Sequence, residues 1–145
     1  MIKRTITGII DAGHGWFSVS HVDIRKLGIE DSISGCSYMN RTRVYLEEDC
    51  DIAKFVKAAE AAGWKLTFKS NGQRQDWSWV RGLPPYNSYW IKNPLHEGQH
   101  IGLYNGAVAI IDSIGNWKIF IKSLNSAATY SVPASNPFNY IRPLA

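Results

Sequence analysis

Residues 96–100 read His-Glu-Gly-Gln-His, the H-E-x-x-H spacing with which zinc peptidases hold their metal. On a helix, residues four apart share a face. Both imidazoles then reach one Zn²⁺, and the glutamate activates a bound water. The surrounding sequence opposes that helix. Pro94 lies two residues before the first histidine, Gly98 sits inside the pattern, Gly102 follows it, and Asn105-Gly106 draws residues 101–104 into a hairpin strand. On an extended strand, residues four apart are separated by about 13 Å. A loop entering a strand, with two partly exposed histidines, is the expectation; a zinc hydrolase through His96, Glu97 and His100 is kept as an alternative.

His14, His21, Cys36 and Cys50 could form a Cys₂His₂ set, but six residues between the histidines and thirteen between the cysteines fit no compact zinc knuckle. Each cysteine is expected to be a small buried hydrophobe. If exposed, Cys50 at a helix N-terminus would have a lowered pKa. Glu47, Glu48, Asp49 and Asp51 are dense enough to hold a cation, yet they lack the alternation and central glycine of a calcium loop. Capping and the helix dipole account for them. His14, between Gly13 and Gly15 and near Asp11, reads as part of a structural turn. No Walker loop, G-x-G-x-x-G or G-x-S-x-G pattern occurs.

The aromatic residues Trp77, Trp79, Tyr86, Tyr89 and Trp90, interleaved with Arg74, Arg81 and Lys92, form the best candidate surface. Aromatic rings stack on bases while cations follow phosphates. The same residue types dominate protein–protein hot spots. Two or three of the five aromatics are expected in the core.

The elements that carry these residues indicate an α+β fold of antiparallel sheets. In residues 1–70, Ile6–Ile10 and Trp16–Ser20 read as strands around a glycine turn. Ser20 caps a short helix over about 21–27, which Gly28 ends. Ser37–Met39 and Arg43–Leu46 flank a hairpin loop with Asn40 in the left-handed region. The main helix, about 50–62, has Asp49 or Asp51 accepting first-turn amides and Gly63 beyond its end. Lys65–Lys69 alternates as a half-buried strand.

Residues 71–145 read as a mostly β subdomain: irregular aromatic structure, then a C-terminal meander over 99–104, 107–112 and 117–122. Trp117, Ile119 and Ile121 share one face there. A final strand is expected near 129–132. The boundary is set at 70/71, with one continuous domain as the alternative.

The 145 residues carry 16 Lys and Arg against 12 Asp and Glu, a formal net charge of +4. Residues 1–70 hold ten basic and nine acidic side chains and residues 71–145 hold six and three, so no basic stripe marks a dedicated nucleic-acid domain. With 45% hydrophobic and 19% charged residues, the composition is that of a folded globular chain. No apolar run reaches the ~20 residues of a membrane span. The opening residues do not read as a signal peptide. A cytoplasmic protein with two free thiols, no membrane association and no cofactor is expected.

His14-Gly15-Trp16-Phe17-Ser18-Val19, Ser37-Tyr38 and Tyr45-Leu46-Glu47-Glu48-Asp49-Cys50-Asp51 together resemble the N-terminal region of small, mostly uncharacterised proteins carried by bacteriophages and other mobile elements. The likeness covers residues 12–69 and transfers no catalytic residue. It implies an accessory protein acting in a host cytoplasm on host machinery. A non-enzymatic binding protein that inhibits a host defence or replication factor is the expected function, with Arg74, Trp77, Trp79, Arg81, Tyr86, Tyr89 and Trp90 as its surface. Single-stranded nucleic-acid binding by the same residues is the second expectation.

Overall fold

The computed structural model describes residues 1–71 and 78–144. The chain divides into two compact units, Met1–Lys92 and Asn93–Ala145. Residues 78–92 therefore belong to the first unit, on the other side of the boundary expected at 70/71.

The first unit holds a five-stranded sheet in the order β3-β4-β2-β1-β5. Its strands are β1 (Lys3–Ile10), β2 (Gly15–Ser20), β3 (Tyr38–Met39), β4 (Arg43–Glu47) and β5 (Lys65–Ser70). Three of the pairings are antiparallel, but β5 runs parallel to β1, with Lys3 opposite Lys65 and Gly8 opposite Ser70. Parallel neighbours need a long crossover. Helix α2 (Ile52–Ala61) supplies it between β4 and β5. β5 is the sheet edge and mostly exposed rather than half-buried. Phe68 stays partly in solvent, its ring edge-on to Phe17 at 5.8 Å.

Helix α1 (His21–Leu27) begins as its sequence dictates. The Ser20 hydroxyl accepts from the Asp23 amide at 3.0 Å, and Gly28 closes the helix at φ +66°. Arg4 on β1 ties the helix to the sheet through two hydrogen bonds to the buried Asp23 carboxylate, 2.7 and 3.1 Å. α2 ends at Gly63 with φ +79°, as its C′ glycine should. Its N-terminus differs from expectation: Asp51 makes no side-chain cap. Asn40 also keeps a negative φ, and its Oδ1 instead accepts the Thr42 and Arg43 amides at 3.1 and 2.8 Å.

The pleat gives the sheet two different faces. Cross-strand partners share a side, so Val19 with Val44 and Phe17 with Leu46 lie on one face, and Ile9 with Trp16, Trp16 with Glu47 and Tyr38 with Tyr45 on the other. Ile6, Val19 and Phe55 of α2 line one small cavity on the first side. On the second, Val80 and Leu83 pack over Ile9, Trp16 and Tyr45. The aromatic loop segment is thus the cover of this sheet. A turn of 3-10 helix (Trp79–Gly82) and α3 (Ser88–Lys92) give it regular structure.

The second unit is an antiparallel sheet in the order β10-β6-β7-β8-β9, built from β6 (His100–Leu103), β7 (Val108–Ile114), β8 (Lys118–Ser123), β9 (Thr129–Pro133) and β10 (Ile141–Arg142). The two sheets are separate. Asn105-Gly106 forms the expected hairpin turn, with Gly106 at φ +88°. Ile101, Ile111, Ile119, Ile121 and Ile141 fill the core. Trp117 does not join them: it lies before β8 begins and is 87% exposed.

His21 opens α1 nearly out of solvent, its Nε2–H donating to the Arg43 carbonyl at 3.2 Å. Burial, with Arg25 and Arg43 nearby, pushes its pKa down to about 4. The unfolded chain then binds a proton that the fold refuses. Stability is full above pH 6.5 and falls as pH drops towards 4, by roughly 3 kcal/mol. Urea unfolding at steps from pH 7 to pH 4.5 should show this slope, and His21→Gln should flatten it.

Candidate functional site

The first unit carries a pocket of about 230 Å³ on the face covered by residues 78–92, with Trp16 as one wall. Two buried carboxylates, Asp11 and Glu47, lie at the same end of the sheet, after β1 and at the end of β4, and position the residues around it.

Asp11 opens the β1–β2 turn. Its Oδ1 accepts the Gly13 and His14 amides, both at 3.0 Å, which shapes the turn and presents His14. Arg81 closes on the same carboxylate with two bonds, Nε to Oδ2 at 2.6 Å and Nη2 to Oδ1 at 3.0 Å. The Ser78 amide adds a second donor to Oδ2 at 3.2 Å. The Arg81 guanidinium, against the cost of burial, holds the Asp11 carboxyl well below the usual carboxylate range, helped by the His14, Gly13 and Ser78 amides. The guanidinium also lies 4.9 Å from the Trp16 ring centroid.

Glu47 ends β4. Its Oε2 accepts the Asp49 and Cys50 amides at 2.9 and 2.8 Å, and its Oε1 meets His14 Nδ1 at 3.2 Å. Burial raises its pKa, but the amide and thiol of Cys50, the Asp49 amide and His14 outweigh this and hold it down. A Glu47 that stays ionised orients the imidazole. Asp51 sits one turn on. It is fully buried and accepts from Ser34 N at 3.0 Å, Ser34 Oγ at 2.8 Å, Ser37 Oγ at 2.5 Å and Lys54 Nζ at 3.0 Å. The Asp51 carboxylate therefore pins residues 34–37 against the start of α2.

This places Cys36 and Cys50 on the same pocket. Both are exposed, so the expectation of buried cysteines does not hold. Nor does a lowered Cys50 pKa: the Cys36 thiol, then the Glu47 carboxylate, push it up to about 12. An α2 N-terminus cannot offset a buried anion beside the sulfur.

His14, Glu47, Glu48 and Asp49 bring one ligand atom each within 4.8 Å of one another, the one such group among the described residues. Hydrogen bonds already occupy Glu47 within it.

The residues expected to form a binding surface separate. Tyr86 is core, its hydroxyl donating to the Glu30 carbonyl, and Trp90 is core beneath a half-buried Tyr89. Arg81 is held in the pocket by Asp11. Trp79 remains 51% exposed, steadied edge-on by Tyr45 at 5.2 Å. Arg74 and Trp77 lie outside the described residues.

The H-E-x-x-H stretch has no helix. Gly98 takes φ +83°, the His96 amide bonds Gln99 Oε1, and His100 opens β6. The two imidazoles therefore lack the shared helical face that the motif needs. Sequence reasoning set aside the residues that do converge, Asp11, His14, Cys36, Glu47 and Cys50. The signal available was Asp11 beside a His-bearing glycine turn.

No protein-family model, curated protein or solved structure matches the chain.

Asp11→Asn should lower the urea midpoint, because it leaves Arg81 without its anion. The double variant Asp11→Asn/Arg81→Met should recover part of that loss. Equal, additive losses in the cycle would mean the two side chains are not coupled.

Proposed function

We propose that the chain is a non-enzymatic binding protein whose partner is another protein, docking on the Trp79 side of the covered face. The exposed Trp79 carries this reading. It is a large aromatic side chain fixed by Tyr45 and by the turn that Ser78 caps through Val80 N. A pre-positioned tryptophan loses little conformational freedom on binding, which is why such residues serve as anchors.

Nucleic-acid binding has less support. Arg81, the cation nearest in sequence, is neutralised by Asp11, and Glu47 and Asp49 line the adjacent pocket, an environment that repels phosphate. A cysteine enzyme has less support too, because a thiol with a raised pKa is a poor nucleophile. The resemblance of residues 12–69 to mobile-element proteins adds the setting: an accessory protein acting on a host protein, with inhibition of a defence or replication factor as the concrete form. Among the described residues no helix is long and apolar enough to cross a membrane.

Tagged protein should capture one bacterial protein in stoichiometric amount from lysate with or without nuclease. Trp79→Ala should weaken the purified pair about thirtyfold, the loss of a ~2 kcal/mol hot spot. Recovery only without nuclease, or unchanged affinity in Trp79→Ala, would contradict the reading.

A further inference from the structure

The two cysteines are brought together by architecture rather than by sequence proximity. Cys36 lies between Ser34 and Ser37, both of which bond the Asp51 carboxylate. Cys50 is the residue before Asp51, and its amide is fixed by Glu47 at 2.8 Å. The Ser37 hydroxyl also accepts the Glu47 amide at 3.0 Å, which adds a second tie between the two segments. One buried carboxylate thus holds both cysteine-bearing segments, and both thiols open onto the same pocket and onto solvent.

We propose that Cys36 and Cys50 are a redox modification site, a dithiol that closes to an intramolecular disulfide at the pocket and reopens on reduction. The co-reactant is a small-molecule disulfide such as oxidised glutathione. One cysteine thiolate attacks it, forming a mixed disulfide and releasing one glutathione thiolate, which takes a proton. The second cysteine, losing its own proton, attacks the protein sulfur of that mixed disulfide and releases the second glutathione. Two thiols are oxidised and one disulfide is reduced. The bond would covalently join the loop before β3 to the turn before α2. It does not depend on the identity of any partner.

The test is treatment of the native, reduced protein with oxidised glutathione, followed by intact-mass measurement and thiol titration. The expected product is a monomer that has lost two hydrogens, has no titratable thiol and carries no glutathione. Digestion should yield a peptide pair linking Cys36 to Cys50, and dithiothreitol should restore both thiols. Cys36→Ser and Cys50→Ser, both at exposed positions, should each retain one glutathione, with near-UV circular dichroism confirming the fold. Wild-type protein that keeps both thiols free, retains glutathione without closing, or yields only cross-linked dimers would overturn the proposal.

Discussion

The Asp51 carboxylate is removed from water and surrounded by donors: an amide, two serine hydroxyls and the Lys54 ammonium. Burying a carboxylate is costly unless each lone pair finds a partner. Burial alone would raise its pKa, but Ser37, Ser34 and Lys54 outweigh that and keep it low. The ionised form is therefore native, and the four donors must be where they are. Residues 34–37 consequently cannot leave the start of α2, and the Ser37 hydroxyl can take the Glu47 amide. Much of the site's one wall follows: the end of β4, the orientation of Glu47, and through it His14.

The opposite wall uses the same physics with a different partner. Asp11 is equally buried and is satisfied by two turn amides, one amide from residue 78 and a bidentate arginine. Its bond to Arg81 spans most of the first unit's chain and draws residues 78–92 over the sheet. Trp16 stands between the walls, packed by Arg81 above its ring and by Tyr38 at its edge. Two ionised carboxylates thus add to the apolar packing of Val80 and Leu83 on this face.

Legibility in the sequence followed the range of the interaction. Ser20, Gly28, Gly63 and Asn105-Gly106 act within a few residues of themselves, and each marked its turn or helix end correctly. Asp51 stands at a capping position, yet it bonds Ser34 and Ser37 instead, because those donors arrive from another loop only once the sheet forms. The same reason hid Arg81 as a partner of Asp11 and hid the parallel pairing of β5 with β1. The aromatic segment read as a boundary because glycines and prolines interrupt it. Tyr86 and Trp90 nonetheless enter the core, and Val80 and Leu83 of the same segment cover the face of β2 and β4 that carries Trp16 and Tyr45. The cysteines were legible as a pair of thiols but not as neighbours.

Amide hydrogen exchange on Asp51→Ala tests the organising role of this carboxylate most directly. The account requires the Ser34 amide, which donates to Asp51, and the Cys36 amide, which donates to Ser34 Oγ at 3.2 Å, to lose protection by roughly tenfold or more, the worth of a hydrogen bond to a charged group. The β1–β2 amides should keep theirs. Unchanged exchange at Ser34 and Cys36, or an equal loss across the whole sheet, would contradict it.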